Sequence, residues 1–244
     1  MILNNELKNI TNNFQVDYFG VADISNYEND LAKFGGEIVK GYKFGISIGI
    51  VLPNTIVDSL KNRFDKNVSS LYFTHSYHII NDRLNLICSI LSSYLNNKGY
   101  DTLPIPSAER TDIENAIPTV SHKMIANLAG LGWIGKNCLL ITPEHGPRLR
   151  LISLLTNAPL EITGSLMKQR CNNCTECVKI CPANAIEGIN FEIEDEREKR
   201  LNFKKCHNYF EEMKKDYSRK PICGMCLYIC PYGKKKKQYA HSDI

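Results

Sequence analysis

Residues 77–97 carry the clearest helical pattern in the chain. Their apolar positions recur at intervals of three and four residues, which places them on one face of a helix of about five turns. These positions are Ile80, Leu84, Ile87, Cys88, Leu91, Tyr94 and Leu95. The run ends at residues 96–99, Asn-Asn-Lys-Gly, which is typical of a helix terminus. We expect a core-facing helix with Tyr77 and His78 at its N-terminal end, where they either line a site or lie on the surface.

Other short segments predict strands and a second helix. Residues 15–22 and 44–52 are rich in β-branched and aromatic side chains and are bounded by Gly, Asp or Pro, so we expect two buried strands. Ser121 is a candidate N-cap for a short helix that ends at about Ala129. The chain therefore mixes helices and strands.

A glycine-rich segment at residues 130–137 follows the second helix. An apolar run at residues 138–141, a turn at residues 143–147 and a second apolar run at about residues 148–155 then predict a β-hairpin. Glycines permit positive φ and close backbone approach, so the segment could hold a phosphate or a large flat cofactor. The candidate cofactor-binding residues are Gly130, Gly132, Trp133, Gly135, Lys136 and Asn137. A turn with only a structural role is an equal alternative, and a dinucleotide site is excluded because no strand precedes the glycines.

Composition narrows the class of protein. With 244 residues and 43% hydrophobic content, the chain can bury roughly 70 to 75% of its unfolded surface, enough for one larger domain and one small domain. No apolar run reaches the ~18 residues of a membrane span, and no apolar signal segment opens the chain, so we expect a cytoplasmic protein. The net charge is +4, and part of it lies in the lysine run at residues 234–237, which is either a solvated tail or a contact for an anionic partner.

The cysteines carry the strongest chemical signal. Residues 171–182 read C-x2-C-x2-C-x3-C-P, and residues 223–231 read C-x2-C-x3-C-P, with Cys206 upstream as a fourth thiolate. Eight thiolates suffice for two [4Fe–4S] clusters, and in tandem motifs of this kind the cysteine before the proline ligates the other cluster. We therefore expect two crossed sets: set A is Cys171, Cys174, Cys177 and Cys230, and set B is Cys206, Cys223, Cys226 and Cys181.

Zinc and disulfides are the alternatives for these cysteines. A tetrahedral zinc site needs only two C-x2-C pairs, which leaves the third cysteine of the first run and both C-P endings unexplained. Disulfides suit small secreted chains, and a reducing cytoplasm is the expected setting here. Cys88 and Cys138 each stand inside an apolar run, so we expect them to be core residues rather than ligands.

From about residue 40 to residue 233, and most strongly from Ala126 onward, the chain resembles the epoxyqueuosine reductase family, which is similar to the reductive dehalogenases. The glycine-rich segment, the following apolar runs, residues 154–160 and both cysteine runs stand in that family's order. The resemblance implies an α+β protein: a nitroreductase-like α/β layer domain that binds cobalamin at residues 1–162, a bacterial-ferredoxin-like double [4Fe–4S] cluster domain at residues 163–233, and a basic tail at residues 234–244.

The same resemblance implies a reductase that receives electrons from a low-potential donor and passes them through the clusters to a corrinoid. The family's tRNA-binding helical repeats do not follow the clusters in this sequence, so we expect a small-molecule or protein substrate rather than tRNA, with weak, salt-dependent RNA binding. The family's proton donor falls near Ala116, so Asp112 and Glu114 are the candidate general acids, although a solvated loop is their alternative. An electron carrier or reductive activator without its own catalysis is the alternative function.

Overall fold

A computed structural model describes residues 2–234 of the chain. Within that range the chain forms six strands and nine α-helices. The strands are β1 (Tyr18–Asp23), β2 (Phe44–Val51), β3 (Thr102–Ile105), β4 (Trp133–Ile134), β5 (Leu140–Ile141) and β6 (Leu149–Thr156). The helices are α1 (Ile2–Asn13), α2 (Glu28–Gly35), α3 (Asn54–Asp58), α4 (Lys66–Phe73), α5 (Ile80–Asn97), α6 (His122–Leu128), α7 (Glu176–Ile180), α8 (Phe203–Lys214) and α9 (Met225–Tyr228).

The main sheet has four antiparallel strands in the order β1-β2-β6-β3. Strand β2 lies at its centre, where Phe44 pairs with Thr156 and Val51 pairs with Leu149 of β6. All of its residues except Val51 are buried. A strand covered on both faces has no reason to alternate apolar with polar residues, which explains the nearly continuous apolar run in this part of the sequence.

Helices cover both faces of this sheet. The predicted long helix is confirmed as α5, and its apolar stripe packs with Ile46, Ile48 and Ile152 in the larger hydrophobic core. Helix α6 covers the opposite face, where Ile125 packs in a second core with Leu155. Gly45 makes this close approach feasible, because a Cβ at that position would lie 2.9 Å from the Ile125 side chain. The result is a three-layer α+β arrangement.

Helix α4 joins α5 through a π-helical turn, Thr74–Ile79. π-helical turns are rare and frequently occur at functional sites. This turn presents Tyr77, which the sequence pattern had placed at the start of a plain α-helix.

One local prediction is wrong and a second holds only in part. The predicted hairpin does not form, because β5 pairs with β4 while β6 pairs with β2 and β3; only a single bridge, Thr142 to Gly146, joins the two segments. Ser121 does occupy the N-cap position of α6, but its side chain makes no capping hydrogen bond.

The C-terminal part contains short helices between the cysteine loops. Helix α9 contacts α3 and α7, and Ile222 and Leu227 belong to the larger hydrophobic core of the sheet. The cysteine-bearing segment is thereby fixed to the α/β layers, while the boundaries at residues 162 and 233 stay predictions. Of the lysine run at residues 234–237, all but Lys234 lies outside the described residues, as does the rest of the predicted basic tail. No helix among residues 2–234 is long and apolar enough to cross a membrane.

Candidate functional site

Set A cysteines line one concave pocket. The pocket is lined by Cys171, Cys174, Cys177 and Cys230. Lys136 and Asn137 of the glycine-rich segment, with Pro231 and Tyr232 after the last cysteine, also line it. Burial, together with the other three thiolates of the set, raises the pKa of Cys177 to about 11. A pocket that crowds four thiols together and desolvates them favours their deprotonation only when a cation binds there, which is the behaviour of an iron–sulfur site.

Set B cysteines influence one another in the same way. Burial, with contributions from Cys223 and Cys181, raises the pKa of Cys206 to about 11. Burial raises the pKa of Cys226 as well, and its neighbours there include Cys223, Cys206 and Cys181. Cys181 therefore lies with the second cysteine run, although it belongs to the first run in sequence. The structure thus brings the four cysteines of set A near one another and the four of set B near one another. That each set holds one cluster stays a prediction.

The two sets are neighbours. The Cys226 thiol is influenced by Cys177 of set A in addition to its own set. Within residues 2–234 no group of three or more His, Cys, Asp and Glu side chains is tight enough to hold a single metal ion. Thiolates around a four-iron cubane surround a larger object than one ion, so wider spacing is what a cluster requires.

Backbone conformation shapes the cysteine loops. Asn172 and Asn184 adopt positive φ of 46° directly after Cys171 and shortly after Cys181, and Gly224 has φ 64° between Cys223 and Cys226. Asn and Gly tolerate this left-handed region better than other residues. A Cβ on Gly224 would lie 2.7 Å from the Leu60 side chain, so glycine also lets this loop approach the α/β layers.

Two side chains of the glycine-rich segment at residues 130–137 form hydrogen bonds to these cysteine loops. Lys136 is 6% exposed and its Nζ donates to the carbonyl oxygens of Asn172, at 2.8 Å, and Cys174, at 3.2 Å. The neighbouring Asn137 Nδ2 donates to the carbonyl oxygen of Cys226, at 3.1 Å. Two consecutive side chains thus hold one loop of set A and one loop of set B.

The space beside the glycines of this segment is occupied by other parts of the chain. A Cβ on Gly132 would lie 2.4 Å from the Ile141 carbonyl oxygen, and one on Gly135 would lie 2.3 Å from the Ile141 side chain. Gly130 has φ 76° and packs against Gly164. At these positions the glycines allow close approach of β5 and of the segment around Gly164. Contact between residues 130–137 and a corrinoid stays a prediction.

Trp133 lies beneath set A. Its side chain is fully buried and packs with Cys230, Cys171 and Tyr232, whose ring centroid is 4.6 Å away in an edge-on arrangement. Its indole N–H is buried and has no acceptor within residues 2–234. A buried donor without an acceptor is costly, and an iron–sulfur cluster in the set A pocket would supply sulfur acceptors.

A polar group of side chains lies beside set B. We call it the polar face; it comprises Tyr77, Asn81, His122, Arg150 and Ser153. Arg150 Nε donates to Asn81 Oδ1 at 3.1 Å, and its guanidinium carbon lies 4.7 Å from the Tyr77 ring centroid. Burial raises the pKa of Tyr77, opposed by Arg150 and reinforced by Cys223 and Cys226, so the phenol stays protonated next to set B.

The start of α6 completes this region. His122 Nδ1 lies 3.0 Å from Ser153 Oγ, and burial lowers the pKa of His122 to about 4, so the imidazole is neutral near pH 7. Burial also lowers the pKa of Lys123, whose Nζ donates to the Cys138 carbonyl oxygen at 2.6 Å. Cys138 and Cys88 are themselves buried core residues, as predicted.

Sequence reasoning named Tyr77 but missed the rest of the polar face. The available signal was Arg150, a charged residue inside a strand whose other residues are mostly apolar. Its partners come from α5 and α6, and the hydrophobic pattern does not show which residues of separate helices meet one strand.

Glu114 is exposed and Asp112 is partly exposed, in a short loop that an isolated bridge between Asp112 and Ile117 closes. Hydrogen bonds from the Asn115 side chain and backbone lower the pKa of Asp112, which is the opposite of the upward shift that a buried general acid needs. In this conformation neither carboxyl belongs to the polar face as defined above. Their role as general acids stays a prediction.

Comparison with known proteins identifies the cysteine-bearing segment. Residues 170–233 match the family described as a 4Fe-4S double cluster binding domain. All eight cysteines of sets A and B fall inside this match. This part of the chain is therefore a domain for two [4Fe–4S] clusters, and the zinc and disulfide alternatives are set aside.

The epoxyqueuosine reductase of Bacillus anthracis is 27% identical over 223 residues, which are 85% of this chain and 52% of that protein. The chain is a homologue of the epoxyqueuosine reductases. It spans about half the length of this curated relative, so the activity and partners of the whole protein do not transfer with the similarity alone.

Two solved structures share the fold of this homologue. One is a crystal structure of epoxyqueuosine reductase with a tRNA-Tyr epoxyqueuosine-modified tRNA stem loop: TM-score 0.64, 21% identity, 96% of this chain and 66% of that chain. The other is a reductive dehalogenase whose structure suggests a mechanism for B12-dependent dehalogenation: TM-score 0.69, 19% identity, 94% of this chain and 31% of that chain. The predicted fold class, α/β layers followed by a double cluster domain, is confirmed.

The expectation that tRNA is not a partner is wrong. It rested on the expected absence of the family's tRNA-binding helical repeats, and an absence of that kind excludes no partner. A reductase solved with a bound tRNA stem loop shares the fold over 96% of this chain and 66% of its own chain. The preference for a small-molecule or protein substrate is withdrawn with it.

Proposed function

We propose that this chain is an iron–sulfur reductase that acts, together with a bound corrinoid, on epoxyqueuosine in tRNA. The observation that carries the proposal is the arrangement of two crossed cysteine sets, of which set B lies beside the polar face of the α/β layers. The relatives support the substrate, since a curated homologue is named for this reaction and a fold neighbour was solved with the modified stem loop.

Eight cysteines are proposed to hold the clusters in crossed fashion, set A and set B each providing four thiolates. Asn137 and Lys136 fix the loops of both sets through the carbonyl oxygens of Cys226, Cys174 and Asn172. Because Cys226 is near Cys177, electrons have a short route from set A to set B. An external low-potential donor then reduces the protein from the side of set A.

The polar face is the proposed contact surface for the corrinoid and the substrate base. When bound, the corrinoid supplies a low-valent cobalt that can remove an oxygen atom from the substrate. The chain's own contribution is binding and orientation: Arg150 offers a cation fixed by Asn81, Tyr77 offers a protonated phenol, and His122 offers a neutral imidazole held by Ser153. The residues fit a bulky ligand rich in amides and phosphate, since they present both donors and acceptors.

The test is anaerobic reconstitution followed by turnover. Reconstituted protein should contain about eight iron and eight sulfide per chain. It should then convert epoxyqueuosine to queuosine in tRNA when cobalamin and a low-potential reductant are added, as measured by mass spectrometry of the digested nucleosides.

An Arg150→Gln variant separates the polar face from the clusters. We expect it to keep its iron and sulfide and to lose most of the conversion. Full iron content with no saturable cobalamin binding and no conversion in the unmodified protein would contradict the proposal and favour the electron carrier. Stoichiometric zinc in place of iron would remove the redox function altogether.

A further inference from the structure

Lys136 is a buried cation on the wall of the set A pocket. Its side chain lines that pocket with all four cysteines, and its exposed fraction is 6%. Its recorded hydrogen bonds go to two uncharged carbonyl oxygens, and no carboxylate lies within salt-bridge distance of it among residues 2–234. A buried ammonium without a counter-ion is costly, so an anion in the adjacent pocket is its natural partner.

Trp133 approaches the same pocket from beneath. The side chain is fully buried against Cys230 and Cys171, and the indole N–H has no acceptor within the described range. Donation to a thiolate or sulfide of a cluster in set A would satisfy this N–H. One segment, residues 133–136, therefore offers the set A cluster both a hydrogen bond and a fixed positive charge.

Both contributions shift the reduction potential in the same direction. A [4Fe–4S] cluster gains one negative charge on reduction, so a nearby cation and an N–H donor each stabilise the reduced form more than the oxidised form. Set B has its own basic neighbours, since Arg63 influences Cys223 and Lys123 influences Cys226 on its side. Lys136 and Trp133 instead contact the set A pocket and its cysteines.

We propose that Trp133 and Lys136 raise the reduction potential of the cluster held by set A, independently of the cluster held by set B. Both residues are positioning residues in this respect, because they act through the cluster and not on the substrate. The proposal rests on the clusters of the proposed function but not on its corrinoid or its substrate.

The experiment is an anaerobic redox titration followed by EPR, with iron and sulfide measured for every variant. Trp133→Phe removes the N–H and keeps a ring, and Lys136→Gln removes the charge and keeps a donor. Each should shift one of the two midpoint potentials to more negative values and leave the other in place. We expect Lys136→Gln to change the electron equilibrium between the clusters about tenfold, which is about 59 mV for one electron.

Lys179→Gln is the matched control, because Lys179 lies on α7 near the same cysteines but its side chain is 69% exposed and paired with Glu176. It should leave both potentials unchanged, and Lys136→Arg should restore most of the shift. If the variants hold about eight iron and both potentials stay in place, the inference is wrong and the proposed function stands. If Trp133→Phe shifts the midpoint potential of one cluster and Lys136→Gln shifts that of the other, the inference is also wrong. If the unmodified protein holds no clusters, the proposed function itself fails.

Discussion

At the scale of single residues, burial decides which titratable groups of the polar face carry charge. His122 is hydrogen-bonded to Ser153 and its pKa is lowered by burial to about 4, from an ordinary value of about 6.5. As pH falls, His122 therefore takes up its proton at a higher pH in the unfolded chain than in the folded protein. The neutral imidazole therefore contributes stability that is present above about pH 6.5 and is lost as pH falls towards 4.

His122→Gln should reduce this pH dependence. Between about pH 7.5 and about pH 5.5, the unmodified protein should lose about 1 kcal/mol more of its free energy of unfolding than the variant loses. Anaerobic denaturant titrations at the two pH values measure the difference. Acid lability of the clusters is common to both proteins, so it cancels in the comparison. An equal loss in both would show that the pKa of His122 is not lowered in the folded protein.

Residue-level prediction from the sequence succeeded where spacing alone sets the chemistry. The eight cysteines were identifiable because cluster loops need fixed intervals along the chain, and Cys138 was identifiable as a core residue from its apolar neighbours. The partners of Arg150 could not be found that way. Asn81 and Tyr77 precede Arg150 by about 70 residues, and only the packing of α5 on β6 brings them together.

At the scale of elements, the β4–β5 hairpin positions the segment that holds the cysteine loops. Trp133 pairs with Ile141 and Ile134 pairs with Leu140, so Lys136 and Asn137 stand in the connecting turn. The sequence predicted β5 and β6 as partners because they are adjacent and joined by a turn-like segment. Strand β6 pairs with β2 instead, over eight residues, and so completes the buried centre of the main sheet.

Gly132→Ala tests the importance of this hairpin. The new Cβ would lie 2.4 Å from the Ile141 carbonyl oxygen, which is backbone and cannot move aside without breaking the pairing. We expect a loss of about 3 kcal/mol in the free energy of unfolding and a fall in bound iron. Anaerobic denaturation and iron analysis measure the two effects.

Gly99→Ala provides the comparison for that variant. Gly99 ends α5 with φ 87° and has open space around its Cβ position, so the cost there is only the strain of the left-handed conformation, about 1 kcal/mol. It should keep its full iron content. A Gly132→Ala protein as stable as Gly99→Ala would show that the hairpin tolerates opening.

At the scale of the whole molecule, the cluster segment is joined to the α/β layers at several places. Gly146 approaches Gly233 so closely that a Cβ would lie 2.3 Å from the Gly233 nitrogen. The buried Arg148 bonds to Asn54 and Asp58 and packs under Gly233. Sequence motifs gave the fold class and the order of its parts. They gave no sign of this contact, because it joins Gly146 and Arg148 to Gly233, which is distant from both in the chain.

Crossed ligation makes a prediction at the scale of the whole molecule, because it joins the two cysteine runs. Cys181 stands four residues after Cys177 in sequence but lies with Cys206 and Cys223 in space. Cys181→Ser should therefore damage the set B cluster and spare the set A cluster, whereas Cys177→Ser should do the reverse. EPR of the two reduced clusters, with iron counted per chain, resolves the cases, and each variant should retain about four iron. Loss of the same signal in both variants would mean that the first run holds its cluster alone. The close coupling of the two clusters, and with it the short electron route towards the polar face, would then have to be abandoned.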